Sequence, residues 1–161
     1  MWKERPPFDE VVRLYERPIW ALLAGAVGDE ETARDLTQET FLRAFRGYPK
    51  FRGESALFTW LYAIARNVVR KHSRRERLQR LFLLRLAREK EHTPGPDENG
   101  PEVWREVRGL REPFREALLL HYFADRSVAQ IAETLSVPEG TVKSRLARGR
   151  KILAGRLRKK R

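Results

Sequence analysis

The sequence has no cysteine and no apolar run long enough to cross a bilayer. Without Cys in 161 residues, disulfide scaffolds, Cys-ligated zinc and thiol nucleophiles are excluded. A spanning helix needs about 18 apolar residues, and the N-terminus MWKERPPF lacks the apolar segment of a secretory signal. No sustained period-two alternation marks a strand, and internal repeats are absent. These absences predict an all-α protein of the cytoplasm, without membrane insertion and with one or two small domains.

The sequence has fewer acidic than basic residues, with 22 Asp and Glu and 34 Lys and Arg, which gives a net charge of +12. The excess lies in two blocks, residues 48–92 with 12 basic and 4 acidic side chains and residues 126–161 with 11 and 2. The segments 1–47 and 93–125 are mildly acidic. Alternating blocks predict two separate contacts with a polyanion, nucleic acid first and an anionic membrane surface second. Two solvated charged faces are the alternative interpretation.

One segment, residues 93–101, interrupts the helical patterning. It contains three prolines and two glycines, and no apolar side chain that could anchor it. We therefore predict an all-α fold of two small helical domains, residues 1–92 and 102–161, joined by a flexible linker. Fully extended, this linker reaches about 30 Å, which lets the two domains dock at separate places.

Three helices are predicted in the N-terminal domain. The first spans about 8–26, where Pro18 is expected to kink or break it. Asp29 is a suitable N-cap for a second helix, about 30–46, and a third helix runs from residue 55 or 56 to at least 77. The inward stripe predicted for the second helix is Ala33, Leu36, Thr37, Thr40, Phe41, Ala44 and Phe45.

The other side of the second helix carries carboxylates at four-residue spacing. Glu31, Asp35 and Glu39 cluster there, with Gln38 beside them. Such a face either docks on a protein or is simply solvated. A di-metal site would need histidine in the second carboxylate motif, and none is nearby.

The third helix carries a mixed basic and aromatic face beside its core stripe. Cations neutralise phosphates, an amide can hydrogen-bond a base edge, and an aromatic ring can stack on an exposed base. The preceding Gly/Pro loop, 48–55, has the composition of a pocket for a flipped base, and equally that of an ordinary turn. Projection at about 100° per residue places these side chains together: Trp60, Ala63, Asn67, Arg70, Lys71 and Arg74.

The strongest motif lies in the C-terminal domain. A short amphipathic helix over 128–135 begins with the capping-box pair Ser127 and Gln130. A turn at 136–138 leads to a second helix from about Glu139, so the pattern predicts a helix-turn-helix, with a helical hairpin that does not bind DNA as the alternative. Cations, a hydroxyl and a methyl group are the side-chain groups that a recognition helix uses to contact bases. The side chains predicted to point outward are Lys143, Ser144, Ala147, Arg148 and Lys151. Arg145 and Arg150 can hold phosphates.

Three motifs in this order resemble the extracytoplasmic-function group of the sigma-70 family of RNA polymerase sigma factors. DLTQE at 35–39 resembles the helix by which that family docks on core polymerase. FRGES at 51–55 and IARN at 64–67 resemble its promoter-melting segment. PEGTVKSRL at 138–146 resembles the element that reads the −35 box.

The resemblance implies a function that accounts for the charge pattern. The acidic helix would dock on the clamp helices of the polymerase β′ subunit, the third helix would hold the opened non-template strand at the −10 element, and the C-terminal helix would enter the −35 major groove. The implied partners are core RNA polymerase, through the β′ clamp helices and the β flap, promoter DNA and an inhibitory anti-sigma protein. Neither a cofactor nor a metal is implied.

The resemblance assigns residues to each of these contacts. The residues expected to bind core polymerase are Asp35, Leu36, Gln38, Glu39 and Leu42. The residues expected to bind the −10 DNA are Phe51, Arg52, Gly53, Ser55, Trp60, Asn67, Arg70 and Lys71. The residues expected to bind the −35 DNA are Thr141, Lys143, Ser144, Arg145, Ala147, Arg148 and Lys151.

Two other classes of function make different predictions. A dimeric helix-turn-helix regulator would bind duplex operators tightly on its own, with half-sites one turn apart, whereas a sigma factor binds weakly until polymerase is added. An enzyme is disfavoured, because His72, His92 and His121 are scattered and neither a catalytic triad, a paired-acid motif nor a phosphate loop is present.

Overall fold

The computed structural model describes residues 5–87 and 102–159, and both segments are built from helices without a strand. The first segment contains α1 (Phe8–Val27), α2 (Glu30–Gly47), a 3₁₀ turn (Tyr48–Lys50) and α3 (Leu57–Ala87). The second contains α4 (Glu102–Arg108), α5 (Glu112–Leu118), a π-helical turn (Leu119–Phe123), α6 (Val128–Leu135) and α7 (Glu139–Lys159). The predicted all-α class is confirmed, and the predicted linker lies outside the described residues. Within them, no helix is both long enough and apolar enough to traverse a bilayer.

The boundary between α1 and α2 follows from local chemistry. Gly28 ends α1 in the left-handed conformation, with φ of 77°. Asp29 caps α2 as predicted, and its carboxylate accepts a 2.7 Å hydrogen bond from the backbone N–H of Thr32. Hydrogen bonds from the Thr32 side chain and backbone lower the pKa of Asp29.

The N-terminal core packs α1, α2 and α3 against one another. α1 continues through Pro18 without a break, because buried side chains on both sides of it, Val11 and Ile19, hold the helix on the core. Of the stripe predicted for α2, Phe45 does not enter this core, and its side chain is 60% exposed. Its ring packs edge-to-face against Phe8, at 5.3 Å between centroids.

The predicted helix-turn-helix is present as α6 and α7. Ser127 and Gln130 form the capping box, each side chain bonding the other's backbone N–H. Ser136 adopts the left-handed conformation at the end of α6, with φ of 53°. Val142 and Leu146 of α7 are buried with Ile131 of α6. The sequence patterns did not identify α4 and α5, which complete this core.

Close approach of α7 to α5 depends on Gly149. A Cβ here would lie 2.9 Å from Cδ1 of Leu118 and 3.4 Å from Cβ of Phe114. Because Leu118 is itself buried, we expect Gly149→Val to lower the free energy of unfolding by about 1–3 kcal/mol through overpacking. Urea denaturation of the full chain measures this loss. Gly155→Val is the control, since among the described residues no atom outside the local backbone of α7 lies within 4 Å of a Cβ there. Equal losses at both glycines would contradict the role of packing.

The two helical units contact each other through α1, which packs against the π-helical turn and α4, and along one edge of α3. Phe58, Tyr62, Arg66 and Arg70 recur every four residues on this edge, and all four contact residues of the C-terminal unit. Spacing of four residues places side chains on one face of a helix. This edge adjoins the face that carries Trp60 and the predicted DNA-binding cations.

Candidate functional site

The loop between α2 and α3, together with the first turns of α3, forms an open pocket of about 620 Å³. An aromatic wall, a hydroxyl, an amide and several cations converge on it. The lining includes residues predicted to bind the −10 element: Phe51, Arg52, Ser55, Trp60 and Asn67. It also includes residues outside that prediction: Arg43, Gly47, Lys50, Glu54 and Ile64. The fold therefore adds a cation that the sequence patterns missed, Arg43 near the end of α2, to Lys50 of the loop whose composition suggested a pocket.

Trp60 forms the aromatic wall of the pocket. Its ring stacks on Phe51, with centroids 4.8 Å apart and planes inclined by 29°, and Tyr48 lies 6.2 Å away. Trp60 is half-buried, whereas Phe51 is only 7% exposed. The ring of Phe51 therefore supports Trp60 and offers little surface of its own to the pocket that it lines, and its direct contact with DNA stays a prediction.

The loop below Trp60 is held by residues near the N-terminus. Arg5 donates hydrogen bonds to the carbonyl oxygens of Tyr48 and Phe51, at 2.9 and 2.7 Å. The Tyr48 hydroxyl donates to the carbonyl of Pro6 at 2.8 Å, and burial raises the pKa of Tyr48, which favours the protonated donor. Gly53 has φ of 75°, a conformation that favours glycine. Hydrogen bonds between residues this far apart in the sequence leave no signal in a sequence pattern.

Beyond the pocket, the predicted face of α3 is exposed. Ala63, Asn67, Lys71 and Arg74 are all solvent-accessible, in line with the helical projection. Arg70 is exposed as well, but its Nη2 lies 3.6 Å from Oε1 of Glu112 on α5. The projection did not anticipate that partner.

The acidic face of α2 is also open to solvent. Asp35 and Gln38 are exposed, while Glu39 forms an ion pair with Arg43 one turn later. The face continues into two apolar side chains, Leu42 at 58% and Phe45 at 60% exposure. Exposed apolar groups beside charges are typical of a protein-binding surface.

Leu36 is part of the core, as the inward stripe predicted for α2 requires, and its assignment to the polymerase contact stays a prediction. Its side chain is only 5% exposed, because the stripe of α2 that packs on α1 and α3 includes this position. Leu36 therefore positions the acidic face and is largely withheld from a partner. Phe45, on the same helix, was assigned to the core and lies outside it.

The outward side of α7 is accessible over three turns. Lys143, Ser144, Ala147, Arg148 and Lys151 are exposed as predicted, while Thr141 and Arg145 are partly covered. Arg150 additionally bonds the hydroxyl of Tyr122 at 3.2 Å, a contact that the sequence did not suggest. No cluster of three or more potential metal ligands occurs among the described residues.

Comparisons with known proteins match both helical units. The family model described as Sigma-70 region 2 matches residues 11–79, and that described as Sigma-70, region 4 matches residues 102–153. The RNA polymerase sigma-H factor of Pseudomonas aeruginosa is 33% identical over 165 residues, covering 93% of this chain and 86% of that protein. The ECF RNA polymerase sigma factor SigC of Mycobacterium tuberculosis is 39% identical over 148 residues, covering 88% and 78%.

Solved structures share the fold. The sigma factor RpoE of Bartonella quintana, in complex with the anti-sigma factor NepR, superposes with a TM-score of 0.69 at 22% identity, covering 96% of this chain and 98% of that one. CnrH, in complex with the cytosolic domain of CnrY, superposes with a TM-score of 0.66 at 23% identity, covering 93% and 86%. At these identities the likeness establishes the fold alone.

Proposed function

The chain belongs to the sigma-70 family of RNA polymerase sigma factors, in its extracytoplasmic-function group, and we propose that its three exposed faces divide the task of promoter recognition. As a sigma factor it binds core RNA polymerase, directs it to promoters and promotes DNA melting. The pocket around Trp60, which is lined by residues of α2, the loop and α3, is the observation that most directly supports this division among the three faces.

We assign the Trp60 pocket to a base of the opened non-template strand at the −10 element. Unstacking a base costs a few kcal/mol, and stacking on an aromatic ring contributes about 1–3 kcal/mol. Trp60 offers such a ring because Phe51 fixes its plane from behind. Asn67 can read a base edge, and Arg43, Lys50 and Arg52 line the pocket where backbone phosphates would pass.

The outward side of α7 is assigned to the major groove of the −35 element. Arg148 and Lys143 can donate to guanine, Ser144 to either base, and the methyl of Ala147 can contact a thymine methyl. Arg145 and Arg150 lie nearer the edges, where they suit phosphates. The helix is long enough to span the groove, since Glu139–Lys159 comprises 21 residues.

The open face of α2 is assigned to the β′ clamp helices, and the C-terminal unit to the β flap. Asp35, Gln38 and Glu39 supply the polar part of the α2 contact, and Leu42 and Phe45 the apolar part. An anti-sigma protein would inhibit by covering these same faces. The protein acts in the cytoplasm, with polymerase and DNA, and carries no catalysis of its own.

Replacing Arg148 by alanine tests the −35 assignment. We expect a loss of about 1–3 kcal/mol in binding at one base position, because a two-donor contact to a base edge disappears. Holoenzyme binding to promoter fragments with each base of the −35 box changed in turn measures this loss. Arg158→Ala, near the end of α7, is the control and should weaken binding equally for all promoter sequences. If selectivity at one base position is lost in Arg158→Ala and kept in Arg148→Ala, the assignment is wrong.

Reconstituted transcription tests the proposed function as a whole. In this experiment, fragments of the source genome are transcribed with core polymerase alone and with core polymerase plus the purified chain. The 5′ ends of the transcripts are then mapped. The proposal predicts new start sites that share two upstream sequence elements. A dimeric regulator would instead bind duplex fragments tightly without polymerase and create no start sites.

A further inference from the structure

One guanidinium group holds the turn beside the Trp60 pocket. Nη1 of Arg5 donates hydrogen bonds to the carbonyl oxygens of Tyr48 and Pro49, at 2.9 and 3.2 Å, and Nη2 donates to that of Phe51, at 2.7 Å. A guanidinium presents its donors in a planar fork and can bind several acceptors at once, whereas an ammonium is a compact point charge. Arg5 therefore fixes the backbone at three positions between residues 48 and 51.

The turn has little in its own backbone to hold it. Its closing hydrogen bond runs from the N–H of Phe51 to the carbonyl oxygen of Tyr48, at 3.1 Å, and 3₁₀ turns have poorer hydrogen-bond geometry than an α-helix. Pro49 has no N–H to donate. A second contact comes from the residue after Arg5, because the hydroxyl of Tyr48 donates to the carbonyl oxygen of Pro6 at 2.8 Å. Residues 5 and 6 thus hold the turn through its backbone and through a side chain.

The same turn supplies the rings that contact Trp60. The ring centroid of Trp60 lies 4.8 Å from that of Phe51 and 6.2 Å from that of Tyr48. Both supporting rings are buried, whereas Trp60 is half-buried, so a shift of the turn would move the support of the more exposed ring. Arg5 is not among the described residues that line the pocket. It can therefore act on a bound base through these rings and not by touching the base.

We propose that Arg5 is a positioning residue for base capture: by fixing the turn, it holds the ring of Trp60 in place before the flipped base arrives. The inference rests on the proposed function of the Trp60 pocket. A ring that is already ordered loses no further conformational freedom on binding, and such preorganisation raises affinity without a new contact. Carbonyl oxygens engage the donors of Arg5, which distinguishes it from Arg43 and Arg52, the lining cations assigned to phosphates.

Two substitutions at Arg5 separate the planar fork from the charge. Arg5→Ala removes both, and Arg5→Lys keeps the charge but cannot span three carbonyl oxygens. With holoenzyme on promoter DNA, we expect both variants to slow open-complex formation about fivefold, as for the loss of one net hydrogen bond, while closed complexes form as in the wild type. Arg13→Ala is the control, because Arg13 is an exposed arginine of α1 whose ion pair with Asp9 is local. Opening at the wild-type rate by either Arg5 variant would overturn the proposal.

A double-mutant cycle tests whether Arg5 acts through Trp60. In the Trp60→Ala background the positioned ring is absent, so we expect Arg5→Ala to slow opening there by less than about 1.5-fold, against about fivefold in the wild-type background. A general loss of stability would slow opening by the same factor in both backgrounds, so the cycle separates positioning from a merely structural role. Equal factors in the two backgrounds would overturn the proposal.

Hydrogen exchange in the free protein distinguishes failure of this inference from failure of the −10 assignment. We expect the amide of Phe51, which closes the turn, to exchange about tenfold faster in Arg5→Ala and at an unchanged rate in Arg13→Ala. If exchange is unchanged in Arg5→Ala, Arg5 does not hold the turn and the proposal is wrong. If exchange rises but Trp60→Ala opens promoters at the wild-type rate, the −10 assignment is wrong and the role in base capture falls with it, although Arg5 still holds the turn.

Discussion

Trp60→Ala is expected to slow open-complex formation by one to two orders of magnitude while leaving recruitment of polymerase to the promoter nearly unchanged. The physical reason is that a flipped base loses its stacking partner, worth about 1–3 kcal/mol, and this partner is used only after the strands separate. Phe51 cannot substitute, since it is 7% exposed and lies behind Trp60. A fluorescent base analogue in the −10 element measures opening, and gel retardation of closed complexes measures recruitment.

Trp60→Phe is the matched variant, because it keeps an aromatic ring over Phe51. It should recover most of the opening rate, and thermal unfolding should show that both variants remain folded. An unchanged opening rate in folded Trp60→Ala would show that the pocket does not receive the base. Equal loss of recruitment and opening would place Trp60 in a different step.

The parts of the fold that the sequence predicted are those specified by neighbouring residues. Asp29 marks the start of α2, and Ser127 with Gln130 marks the start of α6, because each cap is complete within four residues. The helix-turn-helix and the exposed side of α7 followed from helical spacing alone. The face around Asn67 was likewise predictable, since every residue on it belongs to one helix.

Errors arose where packing between distant residues decides the outcome. Spacing assigned Phe45 to the core, yet its ring packs edge-to-face against Phe8 at the rim of the core and Phe45 remains 60% exposed. Leu36 was predicted both in the inward stripe of α2 and at the polymerase contact; its burial agrees with the stripe, and the polymerase contact stays a prediction.

The contacts that the sequence did not reveal span long separations. Glu116 meets Tyr62 across 54 positions, and Arg5 meets Tyr48 across 43. Such pairs depend on how the helices dock, which spacing within one helix does not encode. They also bear on the proposed function, because the first lies at an edge of the predicted DNA-binding face and the second holds the loop of the Trp60 pocket.

Asp35→Arg is expected to abolish stable binding to core polymerase. Asp35 is exposed on the open face of α2, and reversing its charge would set a cation against the basic surface that an acidic face selects. Juxtaposed like charges in an interface cost several kcal/mol, which corresponds to at least about a hundredfold weaker dissociation constant. Because Asp35 forms no hydrogen bond or ion pair with the residues that the structure describes, the thermal unfolding curve should be unchanged.

Glu16→Arg is the charge-matched control for this substitution. Glu16 is an exposed carboxylate on α1, outside the α2 face, so the same change of two charge units should leave polymerase binding intact. Similar losses in both variants would mean that net charge, and not the α2 face, governs association.

Capture of purified core RNA polymerase on immobilised protein is the most direct test of the central claim that this chain docks on polymerase through α2. We expect one-to-one capture by the wild type and by Glu16→Arg, and none by folded Asp35→Arg. Absence of capture by folded wild-type protein would show that the chain does not dock on polymerase, and it would point instead to a regulator that binds DNA without polymerase.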